Sequence, residues 1–152
     1  TNSTVVTLPD YGPYVKCFEM ITEFKDIPGE KNYYRIRGLF TGFKTTSSSE
    51  LQVYKEYLGF EEIYLTDRDA DIDNRIKLDM WLTRSYQYYD SAFISVYLMN
   101  TEESYYLYHT SLNEFDRSDN PFSEVKPIYS NIEGGLGIFT SYTQDSLRFR
   151  LK

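Results

Sequence analysis

The sequence predicts a mainly antiparallel β fold, a sandwich or open barrel of about six or seven strands with one amphipathic helix over about residues 101–116. Two observations carry that expectation. Tyrosine and phenylalanine are in excess, 16 and 10 against one tryptophan, and such rings suit a pleated, half-buried surface. Apolar and polar residues also alternate with a period of two through much of the chain, whereas a period of three to four surfaces only once.

Taken in order, residues 14–24 place Phe18, Met20 and Phe24 on one face, and Asp26-Ile27-Pro28-Gly29 then marks a turn. Residues 33–43 set Tyr34, Ile36 and Phe40 opposite Arg35, Arg37 and Thr41, until the Thr45-to-Ser49 run breaks the pattern as a loop. Residues 51–65 have no clear period; with a turn signal at Gly59, the part near Ile63 reads as a strand. The strongest alternation follows, with Ile76, Leu78, Met80 and Leu82 against Arg75, Lys77, Asp79, Trp81 and Thr83. Residues 92–99 are apolar on both faces apart from Ser95, as a central strand should be.

Asn100 with Glu103 three residues on has the form of a capping box. Beyond it Tyr105, Tyr108, Leu112 and Phe115 recur at helical spacing, giving about four turns that stop before Asp119-Asn120-Pro121. Leu136 to Thr140 and Ser146 to Leu151 read as a closing hairpin, with Leu147, Phe149 and Leu151 inward and Arg148 and Arg150 outward.

Length and composition bound the function. A chain of 152 residues corresponds to one domain, able to bury roughly 68–70% of its unfolded surface. The net charge of −7 and the absence of any Lys/Arg run argue against nucleic acid or anionic membrane as partners. No apolar run is long enough for a transmembrane helix, and the first residues lack the pattern of a signal peptide, which leaves room for a leader upstream of Thr1. Cys17, the only cysteine, forms no internal disulfide or C-x-x-C pair and reads as a small strand hydrophobe.

Four groups of residues bear on chemistry. His109, the only histidine, falls off the helical stripe and reads as a surface position rather than part of a triad. The run Asp67, Asp69, Asp71, Asp73 with Asn74 is the one stretch that suggests calcium. Read from Asp67 or from Asp69, however, it lacks the template's glycine and closing glutamate, and an acidic turn neutralised by Arg68 and Arg75 explains it more simply. Gly134-Gly135-Leu136-Gly137 lacks the following helix of a phosphate loop and reads as a tight turn. Trp81, with Tyr86, Tyr88 and Tyr89 close behind, forms a candidate ligand-binding face; packing against a second sheet or a neighbouring domain accounts for the same rings.

Three stretches together resemble a known family. They are Phe24-x-Asp26-x-Pro28-Gly29-Glu30-x-Asn32-Tyr33-Tyr34-Arg35; Tyr105-Tyr106-x-Tyr108-x-x-Ser111-Leu112; and Asn120-Pro121-Phe122-Ser123-Glu124 leading to Tyr129-Ser130-Asn131-Ile132-Glu133-Gly134-Gly135-Leu136-Gly137-Ile138-Phe139. In that order they are similar to the C-terminal part of a Bacteroidetes outer-membrane lipoprotein family, domain of unknown function 4249. The resemblance covers about residue 20 to the end and supplies no catalytic motif. It implies that this single β-rich unit, residues 1–152, is the C-terminal portion of a longer lipoprotein. It also implies an upstream lipid anchor, an outer-membrane or periplasmic location, and association with TonB-dependent receptors.

The expected function is therefore a non-catalytic surface or periplasmic binding module, with a TonB-dependent receptor or a glycan as partner and no required cofactor. Two alternatives stand beside it. One is a glycan-active hydrolase pairing Glu61 or Glu62 with a carboxylate between Asp67 and Asp73. The other is a structural domain that packs on a receptor or on a partner domain and exposes an apolar patch near Trp81 or the Tyr86-to-Tyr89 turn.

Overall fold

The computed structural model describes residues 3–7, 17–58, 63–83, 86–116 and 127–151. In chain order the strands are β1 (Ser3–Thr7), β2 (Cys17–Lys25), β3 (Tyr33–Thr45), β4 (Leu51–Tyr57), β5 (Tyr64–Thr66), β6 (Arg75–Thr83), β7 (Ser91–Thr101) and β8 (Tyr142–Arg150), with helix α1 (Glu103–Asp116) between the last two. Every pairing is antiparallel. They form a three-stranded sheet, β1-β2-β6, and a five-stranded sheet, β4-β3-β7-β8 with β5 also on β3. The fold is thus the expected mainly β architecture, an open sandwich in which neither sheet closes into a barrel.

The core lies between the sheets, where inward positions of facing strands interdigitate. Met20 and Phe24 of β2 and Ile76 of β6 meet Tyr34, Ile36 and Phe40 of β3 and Ala92, Ile94 and Val96 of β7. The alternation read from residues 33–43 and from Ile76 and Leu78 is what assigns these faces; β7, flanked by β3 and β8, is the central strand its two-sided apolarity predicts. β3 is long because it serves three partners. It pairs with β7 from Tyr33 to Phe43 on one edge, and on the other with β5 near its start and β4 over its second half.

The turn before β3 is fastened by side chains. Gly29 has φ 86°, a left-handed conformation that costs glycine little. Asn32 Nδ2 donates to the Ile27 and Glu30 carbonyls at 3.0 and 3.2 Å. Tyr34 Oη donates to Asp26 Oδ1 at 2.7 Å, satisfying a buried carboxylate.

Three expectations are corrected. Residues 51–57, without clear period in sequence, form β4, hairpinned to β3 through a turn in which Ser49 has φ 63° and Thr46 N donates to the Glu50 carbonyl at 2.9 Å. All seven residues of β4 are exposed, and a strand wet on both faces shows no burial alternation. The helix begins at Glu103 rather than near 101, because Asn100 and Thr101 are still paired to β3 and β8; the carbonyl of Glu102 accepts from the Tyr105 and Tyr106 amides. Finally, residues 136–140 are no strand, so the hairpin is absent and β8 pairs with β7. Leu147, expected inward, lies on the sandwich side but at the sheet edge, and is 43% exposed.

The segment from Tyr129 to Phe139 is instead a sewn loop. Asn131 acts as a substitute strand, its Nδ2 donating to the Phe139 carbonyl and its Oδ1 accepting from the Phe139 amide, both at 2.8 Å. Ser130 Oγ donates to the Gly135 and Gly137 carbonyls at 3.0 Å. Gly134 and Gly137 have positive φ, as a tight turn there predicts.

Candidate functional site

Alternation along the larger sheet sends one set of side chains into the core and the other outward. The register sets Thr41 beside Lys55 and Phe93, Leu39 beside Tyr57 and Ser95, Phe43 beside Val53, and Ser95 beside Arg148. A groove of about 340 Å³ runs between these rows, within the range of small-molecule sites. Its floor is apolar, from Leu39, Phe43 and Val53; Thr41, Ser95 and Tyr97 bring hydroxyls; Lys55 and Arg148 bring charge.

Two arginines of this face are braced by rings. The Arg148 guanidinium lies 4.2 Å from the Phe93 centroid, and Phe93 meets Phe43 edge-on at 5.9 Å. Arg37, farther along the same face, lies 4.4 Å over Tyr57. Contacts of this kind hold a guanidinium in place without neutralising it.

Helix α1 covers the other end of this face. Arg35 sits between the Tyr64 and Tyr105 rings, 5.2 and 5.7 Å from their centroids, and donates to Tyr105 Oη. His109 stacks on Tyr64 at 5.7 Å and tilts against Tyr105 at 4.4 Å. It is therefore half-buried rather than a surface position, because Tyr64 arrives from β5, a partner that helical periodicity cannot see. Burial first, then the positive charges of Arg35 and Arg37, push the His109 imidazole down to about 4. It is neutral at pH 7 and serves as a ring in an aromatic stack.

A second cleft of about 210 Å³ lies at the start of the helix, with Lys31, Tyr33, Asp67 and Glu103 on its walls. Two of its charges are matched to each other. Lys31 Nζ is 3.1 Å from Glu103 Oε1, and Tyr33 Oη donates to the same carboxylate; these two donors hold the Glu103 carboxyl below its usual range.

The residues singled out from sequence are dispersed. Tyr89 fills a hollow, its ring edge-on to Phe40 at 5.3 Å and Tyr54 at 5.4 Å, and Tyr86 packs against the core, while Tyr88 is 65% exposed. Trp81 pairs with Glu19 in the smaller sheet, whereas Tyr86 and Tyr89, in the turn between β6 and β7, pack against the core; the Trp81 side chain lies outside the described residues. Two carboxylates of the acidic run, Asp69 and Asp71, are occupied with backbone. Asp69 Oδ2 accepts from Thr66 N at 2.7 Å, and Asp71 Oδ1 accepts from the amides of Asp73 and Arg75 at 2.8 and 2.9 Å. Among the described residues no three His, Cys, Asp or Glu side chains gather as metal ligands. Glu61, Glu62 and the Asn120-to-Glu124 stretch lie outside the described residues, as does the Cys17 side chain.

Sequence reasoning missed Lys55, Tyr97 and Arg148 as site residues. The alternation that placed Arg148 outward was legible, but the juxtaposition of three strands depends on register, which no local pattern encodes.

Residues 3–148 match the family model described as Domain of unknown function (DUF4249). No curated protein and no solved structure matches the chain.

Proposed function

Because the chain belongs to the family described as a domain of unknown function (DUF4249), a description that carries no activity, we propose a role from its site: a non-catalytic binding module that holds a ligand in the outward groove of the larger sheet. The observation that supports this reading is the groove itself, which offers an apolar floor, three hydroxyls and two ring-braced or strand-borne cations on regular strands. Polar groups fixed on strands orient a ligand without ordering cost. His109, the only histidine in the chain, lies at the other end of that face under helix α1 and is held neutral by burial and by Arg35 and Arg37. The family resemblance supports, as part of the same proposal, a location outside the cytoplasm in a lipid-anchored outer-membrane protein that assists a TonB-dependent receptor. No helix among the described residues is long and apolar enough to cross a membrane.

A thermal-shift screen against oligosaccharides tests the reading. A ligand at 100 times its Kd should stabilise the protein by about 2.7 kcal/mol, worth several degrees. The shift should vanish in Tyr97→Ala, whose side chain lines the groove. Turnover of a bound glycan that is abolished by one carboxylate substitution would replace this reading with that of a hydrolase.

A further inference from the structure

The outward face of the larger sheet has a charge opposite to that of the chain. Its strand positions are Tyr33 to Thr45 by alternate residues in β3, Leu51 to Tyr57 in β4, Tyr64 and Thr66 in β5, Ser91 to Thr101 in β7 and Tyr142 to Arg150 in β8. They carry Arg37, Lys55, Arg148 and Arg150, with Arg35 buried under helix α1, and not one of them is Asp or Glu. The whole chain has a net charge of −7, and the acidic residues of these same strands, Glu56 and Asp145, occupy the alternate set of positions. Like charges set together on one face repel one another, so their concentration suits a negatively charged occupant.

Resting on the binding-module reading, we propose that the groove takes an acidic oligosaccharide, one whose sugar rings bear carboxylate or sulfate groups. The Arg148 guanidinium, held over Phe93, and the Lys55 ammonium address the anion. The hydroxyls of Thr41, Ser95 and Tyr97 match ring hydroxyls, and Phe43 and Tyr97 give apolar faces to a sugar ring. A groove of about 340 Å³ holds one or two such rings. An extended polyanion such as nucleic acid would run beyond this face onto a chain that is acidic overall.

The test is calorimetric titration of the whole chain with trigalacturonate, with its methyl ester, and with a sulfated chondroitin tetrasaccharide, at low and high salt. An acidic probe should bind on the order of tenfold more tightly than the neutral ester, an advantage that shrinks as salt screens the pairs. Arg148→Glu and Lys55→Glu should each abolish that preference, and the milder Arg148→Gln should weaken it; both sites are exposed strand positions, and unchanged circular dichroism would show that the variants fold. Binding of the neutral ester as tight as that of the acid, unaltered by charge reversal, overturns the acidic ligand and leaves the binding module standing. No heat from any probe, acidic or neutral, overturns both.

Discussion

Gly42 shows how a single missing atom shapes the packing behind the larger sheet. A Cβ built there would run into the Tyr89 ring, and that ring is already wedged against Phe40 and Tyr54. Gly42→Ala is expected to lose about 1–3 kcal/mol through overpacking, read as a fall in the denaturation midpoint, and Tyr89→Leu in the same background should recover part of it. Tyr89 was visible in sequence as one of a crowd of tyrosines, but the glycine that receives it comes from β3, so the pair could not be read locally. His109 gives a second prediction. The folded state refuses a proton until about pH 4 while the unfolded chain takes one near the ordinary value of 6.5. Stability from this group is therefore complete above 6.5 and lost as pH falls towards 4. For a half-buried ring the loss between pH 7 and 5 should be about 1 kcal/mol, and His109→Phe should flatten that difference in urea titrations at the two pH values.

Among the elements, the Tyr129-to-Phe139 loop illustrates where strand reading fails. Leu136 and Ile138 alternate as a strand would, yet the hydrogen bonds that a neighbouring strand would make to Phe139 are supplied by the Asn131 side chain. A side chain that imitates backbone leaves no periodicity. Asn131→Ala should cost about 1 kcal/mol locally and appear as faster amide exchange at Phe139, with the strands of the core unaffected. Helix α1 was legible in place and length because Tyr105, Tyr108 and Leu112 recur at its period. Its first residues were misplaced because β7 claims Asn100 and Thr101 for its ladder, and tertiary pairing outranks a capping pattern.

At the scale of the whole molecule, the two sheets share one cluster of buried residues, with Met20, Phe24 and Ile76 from the smaller and Ile36, Phe40 and Ile94 from the larger. Ile94 is fully buried, so Ile94→Ala is expected to cost about 2–5 kcal/mol, and both sheets should melt together, with far- and near-ultraviolet circular dichroism giving one coincident transition. That such a sandwich would form was legible in the period-two runs. Which strands share a sheet was not, since β2 finds β6 and β3 finds β7 across long stretches of chain. The charged face, a product of that pairing, was hidden for the same reason. β4, at the end of the strand order of the larger sheet, bears Leu51, Val53 and Tyr57, each at least half exposed. Among the described residues β4 has no strand on its outer edge, and a strand of that composition is an invitation to fibre growth; a charge in its middle, here Lys55, is the kind of residue that opposes edge-to-edge zipping.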